Sequence, residues 1–230
     1  IGYGISGGTI GGNTDVGGTI YDVSKAGTYG TLYVKSSNGN YVYVPTSNSV
    51  INATTSTVTD VFTIQATDSS GTTGNSLTIT INGVNDTPVI TSAATATAID
   101  ENSGAGQVVY TVTSTDVDAS ATVTYSLSGT DASLFTIDST SGEVTLIANP
   151  NFENKSSYSF NVIATDNGAL TDTKAVTLAI NDVNEAPVIT SNAIATSIDE
   201  NSGAGQVVYT VTSTDVDASA TVTYSLSGTD

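Results

Sequence analysis

Cysteine, histidine, arginine, methionine and tryptophan are all missing from the 230 residues. No disulfide or thiolate chemistry is therefore open to the chain. The loss of histidine removes the commonest general base and the imidazole metal ligand, and with them any Ser-His-Asp or Cys-His site. Without arginine there is no bidentate guanidinium clamp. Carboxylates abound, which keeps a two-carboxylate glycosidase formally open. Such a site wants an aromatic-lined cleft, and aromatics make up only 7% of the sequence. The expectation is a protein that is not an enzyme.

Positive charge is nearly missing as well. Lys25, Lys35, Lys155 and Lys174 stand against 22 acids, for a formal net charge of -18. A chain this acidic lacks the basic footprint that nucleic acid requires and has nothing to hold it on anionic lipid. Self-repulsion disfavours compact domains unless cations bind or screen the carboxylates. No apolar run reaches membrane-spanning length, so no membrane insertion is expected. The sequence opens at Ile1 with neither a charged nor an apolar leader segment. It reads as an interior fragment of a longer protein whose localisation signal lies elsewhere.

What is present is 38% hydrophobic, enough to build cores, so this is not a disordered acidic tail. It is also duplicated. Residues 99–131 and 198–230 are identical, at an offset of 198 − 99 = 99 residues, and Pro88-Val89-Ile90-Thr91-Ser92 recurs as Pro187-Val188-Ile189-Thr190-Ser191. A period of this length is a domain-sized repeat in a tandem array.

Thr, Val, Ile, Ser and Gly dominate, in short strand-like runs between turn signals, and no helical periodicity competes. The repeat 88–185 predicts strands at 89–99 (interrupted near Ala93-Ala94), 107–113, 122–128, 134–137, 143–147, 157–165 and 173–180. Alternation points Val108, Tyr110 and Val112 inward, then Val123, Tyr125 and Leu127, then Tyr158, Phe160, Val162 and Ala164, then Val176, Leu178 and Ile180. Tyr158 reads as a core and corner residue. Residues 1–86 form a different, N-terminally incomplete module. Its first 18 residues are Gly-rich and weakly patterned, a Tyr-rich hairpin follows at 28–34 and 40–45, and strands are expected at 60–67 and 76–81. The third module, 186–230, stops at the equivalent of Asp131, without counterparts of the last four strands. It should not fold alone, so either the chain continues or a neighbouring chain supplies strands.

One heptapeptide organises the acidic residues. In Asn181-Asp182-Val183-Asn184-Glu185-Ala186-Pro187 the oxygen-bearing side chains of Asp182, Asn184 and Glu185 fall within four residues, before a proline that breaks the ladder. Hard oxygens of this kind suit calcium, which takes six to eight of them in flexible geometry. The alternative reading is a polar linker that needs only solubility. Around it, Glu101 follows the first strand, Asp116 and Asp118 the second, Glu153 precedes the sixth and Asp166 ends it. All lie at strand ends, where separate loops can converge on one pole of a sandwich. Asp116 and Asp118 can also be read as turn formers. Asp100, Asp131, Asp138 and Asp172 read as solvated turn residues.

These motifs resemble cadherin-type repeats of the bacterial kind over residues 88–185 and the visible part of 187–230. Residues 1–86 resemble a VCBS-type repeat, on Gly-Thr-Tyr-Gly-Thr-Leu-Tyr-Val at 27–34, Val-Thr-Asp-Val-Phe-Thr-Ile at 58–64 and Gly-Val-Asn-Asp-Thr-Pro at 83–88. The resemblance implies tandem Greek-key β-sandwich modules (all-β, 1–86, 87–185 and 186–230) with Ca2+ between them. Carried over by motif, Glu101, Glu153, Asp182, Asn184 and Glu185 would hold it with Asp215 and Asp217 at the second junction. Asp116, Asp118 and Asp166 would hold it with Asn85 and Asp86 at the first, and Glu200 would point beyond the chain. Departures are Asn151 for the motif's Asp, a linker one residue short, and Glu185 where Asp is usual. Fewer ions than the family's full complement are then expected. Gly83 stands where Asp182 stands later, so the first junction is poorer in ligands. The implied function is a calcium-rigidified extender of a large extracellular, RTX-like adhesin. Its implied partners are neighbouring modules of the same chain. The competing readings are a module binding glycan or protein, with Tyr29, Tyr33, Tyr41 and Tyr43 as its surface, and a self-assembling filament of like chains.

Overall fold

The computed structural model describes residues 1–46 and 49–228. In chain order the strands are β1 (Gly2–Ile5), β2 (Thr9–Val16), β3 (Thr19–Ala26), β4 (Gly30–Val34), β5 (Tyr41–Pro45), β6 (Val58–Asp68), β7 (Gly71–Ile81), β8 (Val89–Ile90), β9 (Ile99–Asp100) and β10 (Gln107–Thr111). They continue with β11 (Ser114–Thr115), β12 (Thr124–Ser128), β13 (Phe135–Ile137), β14 (Glu143–Leu146), β15 (Ser157–Thr165), β16 (Thr171–Asn181), β17 (Val188–Ile189) and β18 (Ser213–Thr214). One helical turn, Ser49–Asn52, and one 3-10 turn, Ala132–Leu134, interrupt an otherwise all-β chain. Two compact units are formed, 1–92 with 112–126 and 163–174, and 93–111 with 127–162 and 175–230.

In the first unit β1, β6 and β7 make one antiparallel sheet and β2 to β5 another, in sequence order. Their inner faces meet in a core of Ile5, Val23, Leu32, Val34 and Phe62, with Tyr43, Leu77 and Ile79 packed against it. The period-2 alternation of β4, buried at Gly30, Leu32 and Val34, is what places this row inward. The Gly-rich start is better ordered than its pattern suggests. Val16 pairs with Thr19 across Gly17-Gly18, both at positive φ, the two-residue hairpin turn that glycine alone enters without strain. The signal lay in the Gly-Gly pair and not in hydrophobic alternation. Asp60 is 4% exposed and accepts hydrogen bonds from Thr28 N, Tyr29 N and the Tyr43 hydroxyl. It ties β6 to the β3–β4 turn, a buried structural acid that charge reading alone passes over.

The second unit has a core of Val109, Tyr110, Phe135, Val144, Leu146, Tyr158, Phe160, Val162, Val176, Leu178 and Ile180. Edge-to-face rings join Phe135 to Tyr158 and Tyr110 to Phe160. The expected inward rows of β15 and β16 are found. The row predicted for β10 needs correcting. Val108 is 53% exposed and Val109 is buried instead. A bulge between Val108 and Tyr110 inserts one residue opposite β14, which shifts the pleat and keeps Tyr110 inward. The strand expected at 89–99 is two short pieces, β8 against β11 and β9 in parallel with β16.

Asp131 is a second correction. It is buried and not a solvated turn residue: Oδ2 accepts Ser159 N at 2.8 Å and Oδ1 meets Lys155 Nζ at 3.1 Å. Lys155 also lies over the Tyr158 ring. The Ser159 N–H lowers the Asp131 carboxyl below its ordinary value, burial opposes this, and Lys155 adds to the lowering. A carboxyl lowered on folding stabilises above its unfolded value, about 3.9, and that stability is lost as pH falls through the folded value. Asp131→Asn is expected to cost about 1–2 kcal/mol at neutral pH and to flatten the acid side of the stability curve. Urea midpoints measured from neutral pH to about pH 2 check this, and parallel curves for the two proteins would remove the network's role. Asp138 is a solvated turn former as expected, accepting Thr140 N and Ser141 N. Asp172 is half-buried and holds Ile90 N, so it anchors β8.

Residues 198–228 repeat the sequence of 99–129 but only one of its four strands. Among the described residues 206–210 and 223–227 form no ladder, whereas their copies are β10 and β12. Only the pair whose two members are both present recurs: β17–β18 reproduces β8–β11.

Candidate metal sites

Parallel pairing of β9 with the end of β16 sets Glu101 beside the heptapeptide that follows it. Glu101 is 2% exposed, and its two oxygens accept Val183 N at 2.9 Å and Phe152 N at 2.8 Å. These bonds pin the exit loop and the loop before β15 to one carboxylate. Glu101, Glu153 and Glu185 each bring a carboxylate oxygen within 4.8 Å of the others, and Glu153, Asp182 and Asp217 do the same. Asp217 Oδ2 accepts Glu185 N at 2.9 Å, and Asp215 accepts Asp217 N. Five of the seven residues expected at the second junction thus converge. Asp215 acts through Asp217, and the Asn184 side-chain amide bonds the Glu185 carbonyl.

The charges of this cluster are unbalanced. Burial raises the Asp182 carboxyl, helped by Asp217 and Glu101. Burial also raises Glu185, with Glu101, Glu153 and Asp217 adding and an Asn102 hydrogen bond opposing. A hydrogen bond from its own backbone N–H lowers Glu153, but burial, Glu101 and Asp182 outweigh it. Burial and the acids around them thus raise all three carboxyls. Glu185 Oε2 is buried with no hydrogen-bond partner.

The first junction repeats the backbone geometry with fewer acids. Asp118 Oδ2 accepts Asp86 N at 2.8 Å, the counterpart of Asp217 with Glu185, and Asp116 accepts Asp118 N at 2.9 Å. Asp116 Oδ2 and Asp118 Oδ1 are buried and unpartnered. Asp118 thus holds the Asp86 backbone, and the Asp116 side chain closes the local turn. Asp166 is already satisfied. Asn85 Nδ2 donates to its Oδ2 at 2.8 Å, and Gly168 and Leu170 donate to its Oδ1. Burial raises this carboxyl, and the Asn85 and backbone donors bring it below its ordinary value. Gly83 has no room for a carboxylate: a Cβ there would lie 2.2 Å from the Thr54 carbonyl oxygen. Packing against the Thr54 and Ser56 backbone thus fixes glycine where the second junction has Asp182. Among the described residues, both three-carboxylate groupings lie at the second junction. Glu200 is exposed.

The chain was compared with known families and structures. Residues 95–181 match the family model of the cadherin domain. Human Protocadherin Fat 1 is 37% identical over 108 residues, 45% of this chain and 2% of that protein. The Drosophila melanogaster protocadherin-like wing polarity protein stan is 31% identical over 159 residues, 66% of this chain and 4% of that protein. The chain thus spans a few per cent of the length of these relatives. A crystal structure of human CDH23 EC21-23 superposes with a TM-score of 0.61 at 23% identity, covering 94% of this chain and 69% of that one. PcdhgB3 EC1-4 gives a TM-score of 0.56 at 25% identity, covering 85% and 49%. These two relatives are animal proteins, so they support the cadherin resemblance but not its bacterial attribution, and the family match begins beyond the stretch read as VCBS-type. The fold is that of these tandem all-β structures, and residues 95–181 carry the match to the cadherin domain.

Proposed function

We propose that the chain is a run of extender modules, 1–86, 87–185 and 186–230, from a large cell-surface or secreted adhesion protein, and that Ca2+ at its two acidic junctions stiffens it. The observation that carries this reading is the set of buried, unpartnered carboxylate oxygens on Asp116, Asp118 and Glu185, each beside further acids. An uncompensated buried anion is costly, and a bound cation is the natural remedy in a chain with four lysines. The donors are all carboxylate, amide or carbonyl oxygens, the chemistry calcium selects. Glu101, Glu153, Asp182, Glu185 and Asp217 would hold the ion at the second junction, and Asp86, Asp116 and Asp118 at the first. Bound calcium would neutralise their repulsion and tie separate loops together. Cadherin similarity over 95–181 supports the adhesion context. The VCBS-type reading of residues 1–86 belongs to the same proposal.

Small-angle scattering of the intact chain, chelated and then titrated with calcium, tests the mechanism. The expected result is a longer maximum dimension and a narrower spread of conformers with calcium. An unchanged profile would reduce the clusters to solvated surface.

A further inference from the structure

We propose that a cleft in the first unit, walled by Tyr3 and Tyr41, is a binding site for a neutral sugar ring. Register places its walls. Tyr3 pairs with Ala66 and Ile5 with Ile64, Ile64 with Asn75, Ala66 with Thr73, and Val34 with Tyr41. Alternation then sets Tyr3, Ala66, Thr73 and Asn75 on the inward face of their sheet, and Tyr41 on that of the other. One level deeper, Phe62, Leu32 and Tyr43 fill the space between the sheets. At the level of the cleft, Ala66 and Thr73 are too small to do so, and a cavity of about 310 Å³ remains. That is near the lower end of ligand pockets, roughly 300–1,000 Å³.

The polar groups around this space are unused. Tyr43 spends its hydroxyl on Asp60. Among the described residues the hydroxyls of Tyr3, Tyr41 and Thr73 have no protein partner. Asn75 accepts from Ser76 N and keeps its amide N–H groups free. No charged side chain lines the cleft. A cation would find no carboxylate there, and an anion would meet a chain of net charge -18. Apolar walls with two aromatic rings, a hydroxyl and an amide suit a pyranose: its C–H face lies on a tyrosine, and its hydroxyls take the Asn75 amide and Thr73. Neither carboxylate cluster contributes to the cleft, so the proposal stands apart from the calcium reading, and chelation leaves binding unchanged.

Saturation-transfer NMR on the intact chain with the methyl glycosides of glucose, galactose and mannose tests this, with N-acetylneuraminic acid as the anionic control. Transfer to ring protons of at least one neutral glycoside is expected, and none to the control. Tyr41→Ala should weaken binding about tenfold or more, whereas Tyr21→Ala, outside the cleft, should leave it unchanged. Tyr41 is 52% exposed, so its loss should not unfold the unit. Ala66→Leu fills the cleft from within and should abolish binding, with the melting temperature reporting that the fold persists. No transfer from any neutral glycoside, transfer surviving both substitutions, or a preference for phenol over every sugar would overturn the assignment.

Discussion

Calcium at about 10 mM is expected to raise the melting temperature of the calcium-free chain by about 10 °C, and magnesium by far less. Extracellular modules bind calcium at roughly 10⁻⁴ to 10⁻³ M. One ion bound only to the folded state then contributes about 1.4–2.7 kcal/mol at that concentration. A domain of this size shifts by roughly 4–8 °C for each kcal/mol. Magnesium demands near-ideal octahedral geometry, which ligands drawn from the loop after β9, the loop before β15, the exit peptide and the loop after β18 are poorly placed to give. The sign of one substitution should reverse with the ion. Asp182 sits against Asp217 and Glu101 with its carboxyl pushed up. Asp182→Asn should therefore raise the melting temperature slightly in chelator, by relieving repulsion, and remove much of the calcium-dependent rise. Gly83 has already made that change at the first junction, where Asn85 also occupies Asp166, so the first site should load at higher calcium than the second. Sodium chloride of matched ionic strength giving the same rise would sink the assignment, because screening alone would then account for it.

Much of this was legible in the sequence because alternation and strand-end acids are local signals. The rows of β15 and β16 could be read one residue at a time, and Glu101 and Asp182 stood out as acids at strand ends. Three features could not be read that way. The Val108–Tyr110 bulge depends on how β10 meets β14, and an alternating run gives no notice of an inserted residue. The burial of Asp60 and Asp131 depends on distant donors, Tyr43 on the facing sheet and Ser159 across 28 residues. Turn-like neighbours made Asp131 look solvated, and Asp60 lay inside a strand-like run. The difference between the junctions was half visible: the glycine at position 83 could be read, but not the Thr54 carbonyl that enforces it.

Appending a second copy of residues 132–185 after Asp230 is expected to turn residues 206–210 and 223–227 into strands. Their backbone amides should then exchange with solvent on the order of a thousandfold more slowly, as they join a cooperative domain. One sequence occurs here in two settings. Residues 107–111 are β10 because β14 pairs with them, and 124–128 are β12 because β15 lies alongside. Neither partner has a counterpart after residue 198, and among the described residues the same letters join no ladder, with Val207 83% and Leu226 100% exposed. Strand propensity cannot be the cause, since it is identical in both copies, so the ladder and the buried face supply the stability. β17–β18 is the internal control: both of its members are present, and it forms. Hydrogen exchange followed by mass spectrometry distinguishes the copies by position. Continued fast exchange in the extended chain would mean that context beyond the partner strands is needed. Slow exchange in the 230-residue chain itself, dependent on protein concentration, would point instead to strands supplied by a second molecule, the filament reading.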